Sequence, residues 1–163
     1  MKDESSCEIS VRRILVPTDG SGQAFKALGR AIELARLHEA ELTLLMVADL
    51  NKNVSAFERV SLSGQVPAEL KIAAFQFLAD LMHVVPVEVR AHTRVELGDP
   101  AETIVRVAEE EESDLIVIGS RGMGSFKTFF TGSVSSYVLK HAYCPVLISK
   151  GVPDDWDEED MGD

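Results

Sequence analysis

Cysteine is scarce, with only Cys7 and Cys144 in 163 residues. They lie far apart, with no C-x-x-C pair and no metal-ligand spacing, which excludes a disulfide framework and a cysteine-based zinc site and leaves two inert thiols. Aromatic residues are 6% of the chain. A core must therefore be built from Val, Ile, Leu and Ala, the residues that fill parallel sheets covered by helices, and this favours an α/β fold over a sandwich. No segment approaches the ~18 apolar residues of a membrane span, and the first ten residues lack an apolar stretch of signal-peptide length. Long basic runs are missing too, and the formal charge is −11, which argues against a nucleic-acid surface and against docking on anionic lipid. The absences together predict a cytoplasmic protein with neither nucleic acid nor membrane as partner.

What is present is a chain at 45% hydrophobic, about one domain in length and able to bury most of its apolar surface in one core. The charge is uneven. Residues 151 to 163 hold Asp154, Asp155, Asp157, Glu158, Glu159, Asp160 and Asp163 with no Lys or Arg, leaving the body at 20 acids against 16 bases. That end reads as a solvated acidic tail, with Trp156 as an isolated aromatic inside it. The expected organisation is a domain over 11–150, a polar arm over 1–10 and the tail over 151–163.

Along the body, short continuous apolar runs alternate with helical periodicity. Ile14-Leu15-Val16 reads as a buried strand that ends in the turn and cap residues Pro17 to Ser21. From Gln23 to about His38, Ala24, Leu28, Ala31, Ile32 and Ala35 recur at helical spacing, with Lys26, Arg30, Glu33 and Arg36 on the wet side. Leu42 to Ala48 is a second buried strand, followed by a polar connection over 49–66 that leaves its carboxyl end, so it is expected near a ligand mouth. Pro67 opens a second helix with Leu70, Ala73, Ala74, Phe77, Leu78 and Leu81 on one side. Val87 to Leu97 alternates apolar and charged residues, which predicts an edge strand with one wet face. After Gly98-Asp99-Pro100 comes a short helix ending in the acids 109 to 112. Leu115 to Ile118 then forms a fourth buried strand, Gly119 to Thr131 a loop, Gly132 to His141 a fourth helix, and Val146 to Ile148 the last strand.

Five strands linked by four helical crossovers build an open parallel sheet with helices on both faces, a doubly wound α/β fold. With the half-wet third strand at an edge, the expected order is 3-2-1-4-5. Winding then reverses between the first and fourth strands, and ligands of such sheets lie in the crevice at their carboxyl ends. The two loops leaving these strands carry the most unusual composition of the chain. Gly119, Gly122 and Gly124 permit positive φ and close approach to a ligand, so that successive N–H groups can form an anion-binding nest. Gly132-Ser133 opens a helix whose free N–H groups suit a phosphate, and Arg121 and Lys127 add positive charge. The competing structural reading makes Ser133 a helix cap and Asp19 the cap of the first helix. G-x-x-x-x-G-K-[ST] is absent, and G-x-G-x-x-G fails because Lys127 takes its last position.

Gly119-x-x-Gly122, nine residues, then Gly132-Ser133 resembles the G-x-x-G-x(9)-G-[ST] pattern of ATP-binding universal stress proteins. The flanks Ile14 to Ser21, Gly98-Asp99-Pro100 and Cys144-Pro145-Val146 are similar to that family as well, so the likeness runs from about Val11 to Lys150. It implies an adenine nucleotide α-hydrolase-like fold that binds ATP, with any Mg²⁺ arriving on the phosphates. By the same likeness, Asp19 meets the adenine or ribose side, and Pro17, Thr18 and Val47 line the adenine pocket. Gly119, Arg121 and Gly122 approach ribose and phosphates, while Gly132, Ser133 and Val134 hold the phosphate tail. Pairing through the last strand, Val146 to Ile148, is implied too, and an uncovered apolar edge strand predicts a homodimer independently.

No side chain is assigned to catalysis and none to a protein-bound metal. His38 and His141 fall near helix ends, His83 closes the second helix and His92 sits on the wet edge-strand face; all four read as structural or solvated. Phosphoryl transfer requires a positioned base or water-orienting group, and no convincing base is visible. The expected function is an ATP-binding stress-response regulator. The alternatives are a dimeric scaffold or chaperone-like protein with a vestigial pocket, and a slow ATPase.

Overall fold

In the computed structural model, residues 10–49, 65–120 and 132–150 are described. They form β1 (Arg13–Thr18), α1 (Gly22–His38), β2 (Glu41–Ala48), α2 (Gln65–Met82), β3 (Ala91–Leu97), α3 (Pro100–Glu110), β4 (Leu115–Gly119), α4 (Ser133–His141) and β5 (Val146–Ser149). The strands make one sheet in the order β3-β2-β1-β4-β5, and every pairing is parallel. This is the doubly wound arrangement expected from the alternation of elements.

Strand alternation divides the core into two layers. Ile14 and Val16 of β1, with Leu42 and Leu44 of β2, face α1 and α2. Leu15, Leu45, Ile116 and Ile118 face α3 and α4. Central strands are thus apolar on both sides, and each Leu, Ile or Val so buried contributes about 1.5–3 kcal/mol.

α1 forms because its buried row is mostly alanine, the strongest helix former, and because both ends are closed. At its start the Ser21 hydroxyl accepts from the Ala24 N–H at 3.2 Å. At its end Glu39 takes the left-handed conformation, φ 54°, and its N–H donates to Ala35 O. α3 starts in the same way, with Asp99 Oδ1 accepting from Glu102 N at 3.1 Å and Pro100 in the first turn, where its missing N–H costs nothing.

Several local expectations are corrected. β3 begins at Ala91 rather than Val87, because Pro86 to Val89 closes a turn through Val89 N–H to Pro86 O, leaving Val87 at its exposed tip. α2 begins at Gln65, so Pro67 lies inside the first turn instead of opening it, and Ala73 is exposed rather than core-facing. Ser21, not Asp19, caps α1. Gly132 is the cap position of α4, and Ser133 is its first residue. The charged face of β3 is also less wet than its pattern suggests, because α3 lays its own charges across it.

Arg94 of β3 bonds Glu96 on its own strand and Glu110 and Glu111 at the end of α3. Arg106 bonds Glu96 and Glu110. Burial acts to lower the Arg94 pKa, but hydrogen bonds to Glu111, Glu110 and Glu96 outweigh it and hold the guanidinium above its ordinary value. Burial acts to raise Glu96, and the bonds from Arg94 and Arg106 outweigh that, so its carboxyl lies below the usual range. Beside this network Thr43 donates to Glu111 at 2.7 Å and lies 3.0 Å from His92 Nε2. His92 is thereby held in a structural cluster.

Candidate functional site

Parallel crossovers put the end of every strand and the start of every following helix at one edge of the sheet. Pro17 and Thr18 close β1, Val47 is near the end of β2, and Gly119 closes β4. Thr18 lies opposite Met46 in the β1–β2 register. Val47 and Val134 both pack against the apolar cluster on the α3 and α4 side, and by alternation Pro17 turns to that side as well. The structure therefore brings Pro17, Val47 and Val134 to one side of the crevice, with Gly119 on the α1 side.

Gly119 is glycine for a packing reason. A Cβ there would lie 2.9 Å from the main-chain carbon of Gln23 and 3.1 Å from Ala24 N, too close for any side chain. Positive φ, expected at this position, occurs instead at Gly20 (φ 80°) and Gly98 (φ 145°) among the described glycines. At Gly20 the left-handed turn lets the chain pass from β1 into α1: Gly20 N–H donates to Thr18 Oγ at 3.3 Å and Ser21 N–H to Asp19 Oδ1 at 3.0 Å. Asp19 is exposed and shapes this loop.

After β4 the chain leaves at Ser120, whose N–H donates to Ser149 O of β5 at 3.0 Å, and it returns at Gly132, whose N–H donates to Ser120 O at 2.7 Å. Ser135 fastens the same junction, donating toward Gly132 O at 3.0 Å and Ser120 O at 3.2 Å. The start of α4 is thereby fixed beside the end of β4. Gly132 gives α4 no side-chain cap, so the first-turn N–H groups lack the acceptor that a Ser or Asp at that position supplies. Such an end suits an anionic group. Arg121, Gly122, Gly124 and Lys127 lie outside the described residues.

The sequence places Ser21 among the turn and cap residues but assigns the cap to Asp19, although Ser21 stands three residues before the first buried alanine of the helix. Gln23 was missed altogether. Gln23 heads the buried row that continues through Ala27 and Ala31, and its Oε1 is buried with no hydrogen-bond partner. A polar residue leading an all-alanine row was the available signal.

Elsewhere the chemistry is sparse. Among the described residues no group of three or more His, Cys, Asp or Glu is placed to hold a metal ion, and no helix is long and apolar enough to cross a membrane. Burial pushes the Cys144 thiol above its ordinary pKa, which keeps it protonated and unreactive. His141 Nδ1 lies 2.9 Å from Tyr137 O, one turn earlier in α4. A groove lined by Arg36, Glu39, Glu88 and Arg90 lies at the opposite, amino-end edge of the sheet.

The family model described as "Universal stress protein family" matches residues 10–150, the whole of the sheet and its helices. The chain belongs to the universal stress protein family. It is 34% identical over 144 residues to Universal stress protein MJ0531 of Methanocaldococcus jannaschii, covering 85% of this chain and 82% of that one. Among solved structures, Universal stress protein UspA from Lactobacillus plantarum superposes with a TM-score of 0.71 at 32% identity, over 85% of this chain and 97% of the other. A universal stress protein in complex with cAMP shares the fold at a TM-score of 0.61 and 24% identity, over 85% and 96% of the two chains. The open parallel sheet is thus the family's fold in this chain too.

Proposed function

We propose that this universal stress protein binds ATP in the crevice between the ends of β1 and β4 and acts as a nucleotide-dependent regulator in a stress response. The observation that carries the reading is the junction of Gly119, Ser120 and Gly132, which sets the uncapped start of α4 beside the switch point of the sheet. The cAMP complex of the same fold supports an adenine nucleotide as the kind of ligand.

In this reading Gly132, Ser133 and Val134 hold the phosphate tail through the N–H groups and positive end of α4. Gly119, Arg121 and Gly122 run beside ribose and phosphates. Pro17, Thr18 and Val47 line the adenine, with Asp19 on the adenine or ribose side. Mg²⁺ would come in on the phosphates, as hard oxygen donors require. No residue is assigned a catalytic role, and the output is a partner that reads the occupied state.

A homodimer through β5 belongs to the same proposal. β5 is an outer strand of the sheet, and Val146, Leu147 and Ile148 are only half-buried there, an edge that pairing with a second copy would cover. Sedimentation of the purified chain tests it: a dimer is expected, and a monomer at micromolar concentration overturns it. A cytoplasmic location completes the proposal, checked by fractionation of the source cells.

The decisive experiment is to heat-denature the purified protein, identify any small molecule released, and then record melting curves with ATP and Mg²⁺. Ligand at a hundred times its Kd stabilises the folded state by about 2.7 kcal/mol, which raises the melting temperature by several degrees. Released adenine nucleotide, or that rise, is expected. The absence of both at millimolar ATP overturns nucleotide binding and leaves the dimeric scaffold.

A further inference from the structure

We propose that Gln23 is a ligand-binding residue of the crevice, its side-chain carbonyl accepting a hydrogen bond from the nucleoside part of the bound nucleotide; this rests on the nucleotide reading above. Gln23 stands four and eight residues before Ala27 and Ala31, on one face of α1, and both alanines are fully buried against the sheet. The row reaches the carboxyl edge of the sheet at Gln23, whose main chain abuts Gly119 at the end of β4. Helical side chains lean toward the helix N-terminus. α1 begins at the carboxyl edge, so this lean carries the Gln23 amide toward the switch point and away from the alanine core.

Its Oε1 is buried and has no hydrogen-bond partner. A buried carbonyl without a donor is destabilising, and an apolar residue would continue the row without that penalty. The crevice is where a donor can arrive from outside the fold. Ionised phosphate oxygens accept hydrogen bonds and do not donate them, so the donor has to be a ribose hydroxyl or the amino group of the base. Gln23 therefore recognises the nucleoside, while the start of α4 recognises the phosphates.

The test compares the wild-type chain with Gln23→Leu, which nearly preserves volume and removes the acceptor, by calorimetric titration with ATP and with inorganic tripolyphosphate and by melting without ligand. The expected result is an ATP Kd about tenfold weaker in the variant, an unchanged tripolyphosphate Kd, and a ligand-free melting temperature equal to or above wild type. Titration with 2′-deoxy-ATP, 3′-deoxy-ATP and ITP then assigns the donor, because the analogue lacking it binds wild type and variant alike. Equal ATP affinity in the two proteins overturns the role of Gln23 while leaving nucleotide binding intact. A lower ligand-free melting temperature together with an equally weakened tripolyphosphate Kd overturns it as well, since the substitution would then have disturbed the crevice as a whole and not one contact to the nucleoside. Failure of wild type to bind ATP removes the nucleotide reading itself, a result distinct from either.

Discussion

Gly119 and Gln23 meet main chain to side-chain position: a Cβ on Gly119 would stand 2.9 Å from the carbonyl carbon and 3.0 Å from the carbonyl oxygen of Gln23. This contact seats the first turn of α1 on the end of β4 and so fixes one wall of the crevice.

Gly119→Ala forces α1 and β4 apart, because the clash is with main chain and no side chain can rotate away. The expected cost is about 1–3 kcal/mol, as for overpacking in a core. Urea denaturation of ligand-free protein measures it, and an unchanged midpoint would show that the helix yields freely.

Ser21→Ala removes the hydroxyl that accepts from Ala24 N–H. A loss of about 1 kcal/mol is expected, and Ser21→Asp should restore most of it. Asp19→Ala should leave the helix cap intact, which a circular-dichroism melt of the three variants would separate.

The ion network on β3 predicts an acid-sensitive stability. Glu96 and Glu110 have folded-state pKa values below the ordinary 4.5. Their contribution is therefore fully present above about pH 4.5 and is lost as the pH falls through their lowered folded values. In an Arg94→Met, Arg106→Met double variant that acid-dependent loss should shrink. Unfolding free energy measured by urea titration between pH 3 and 7 decides the point, and identical slopes in both proteins would rule the network out as the cause.

Tyr143→Phe removes a hydroxyl that donates to Ala108 O at 2.7 Å, with Ser113 O at 3.1 Å, across the end of α3. A destabilisation of about 1 kcal/mol is expected by urea denaturation.

Gly132→Val places a β-branched side chain where α4 begins uncapped. The backbone there, φ −57° and ψ 162°, is open to any residue, so the fold should persist while ATP affinity drops at least tenfold. Titration calorimetry alongside a melt of the ligand-free variant checks both halves.

The fold was legible in the sequence because its signals are local and repeated. Continuous apolar runs at Ile14 to Val16, Leu42 to Ala48 and Leu115 to Ile118 belong to strands covered on both faces, and the helical period of Ala24 to Ala35 follows from one buried side. Where period and turn chemistry conflicted, tertiary context won. Val87 to Arg90 alternates as a strand does but is spent on the turn closed by Pro86 and Val89, and its pairing partner on β2 starts only at Leu42, opposite Ala91.

The order of elements, the parallel sheet, the switch point and the presence of glycines there all follow from residue type and spacing along the chain. What those residues do is set by how the segments pack together. Gly119 is glycine because a helix lies against it, Ser21 rather than Asp19 caps α1, Arg94 is enclosed by carboxylates from two elements, and the Gln23 carbonyl is buried without a partner. These facts depend on contacts between segments distant in sequence or on the path of a turn, and periodicity along one element carries no record of what packs against it.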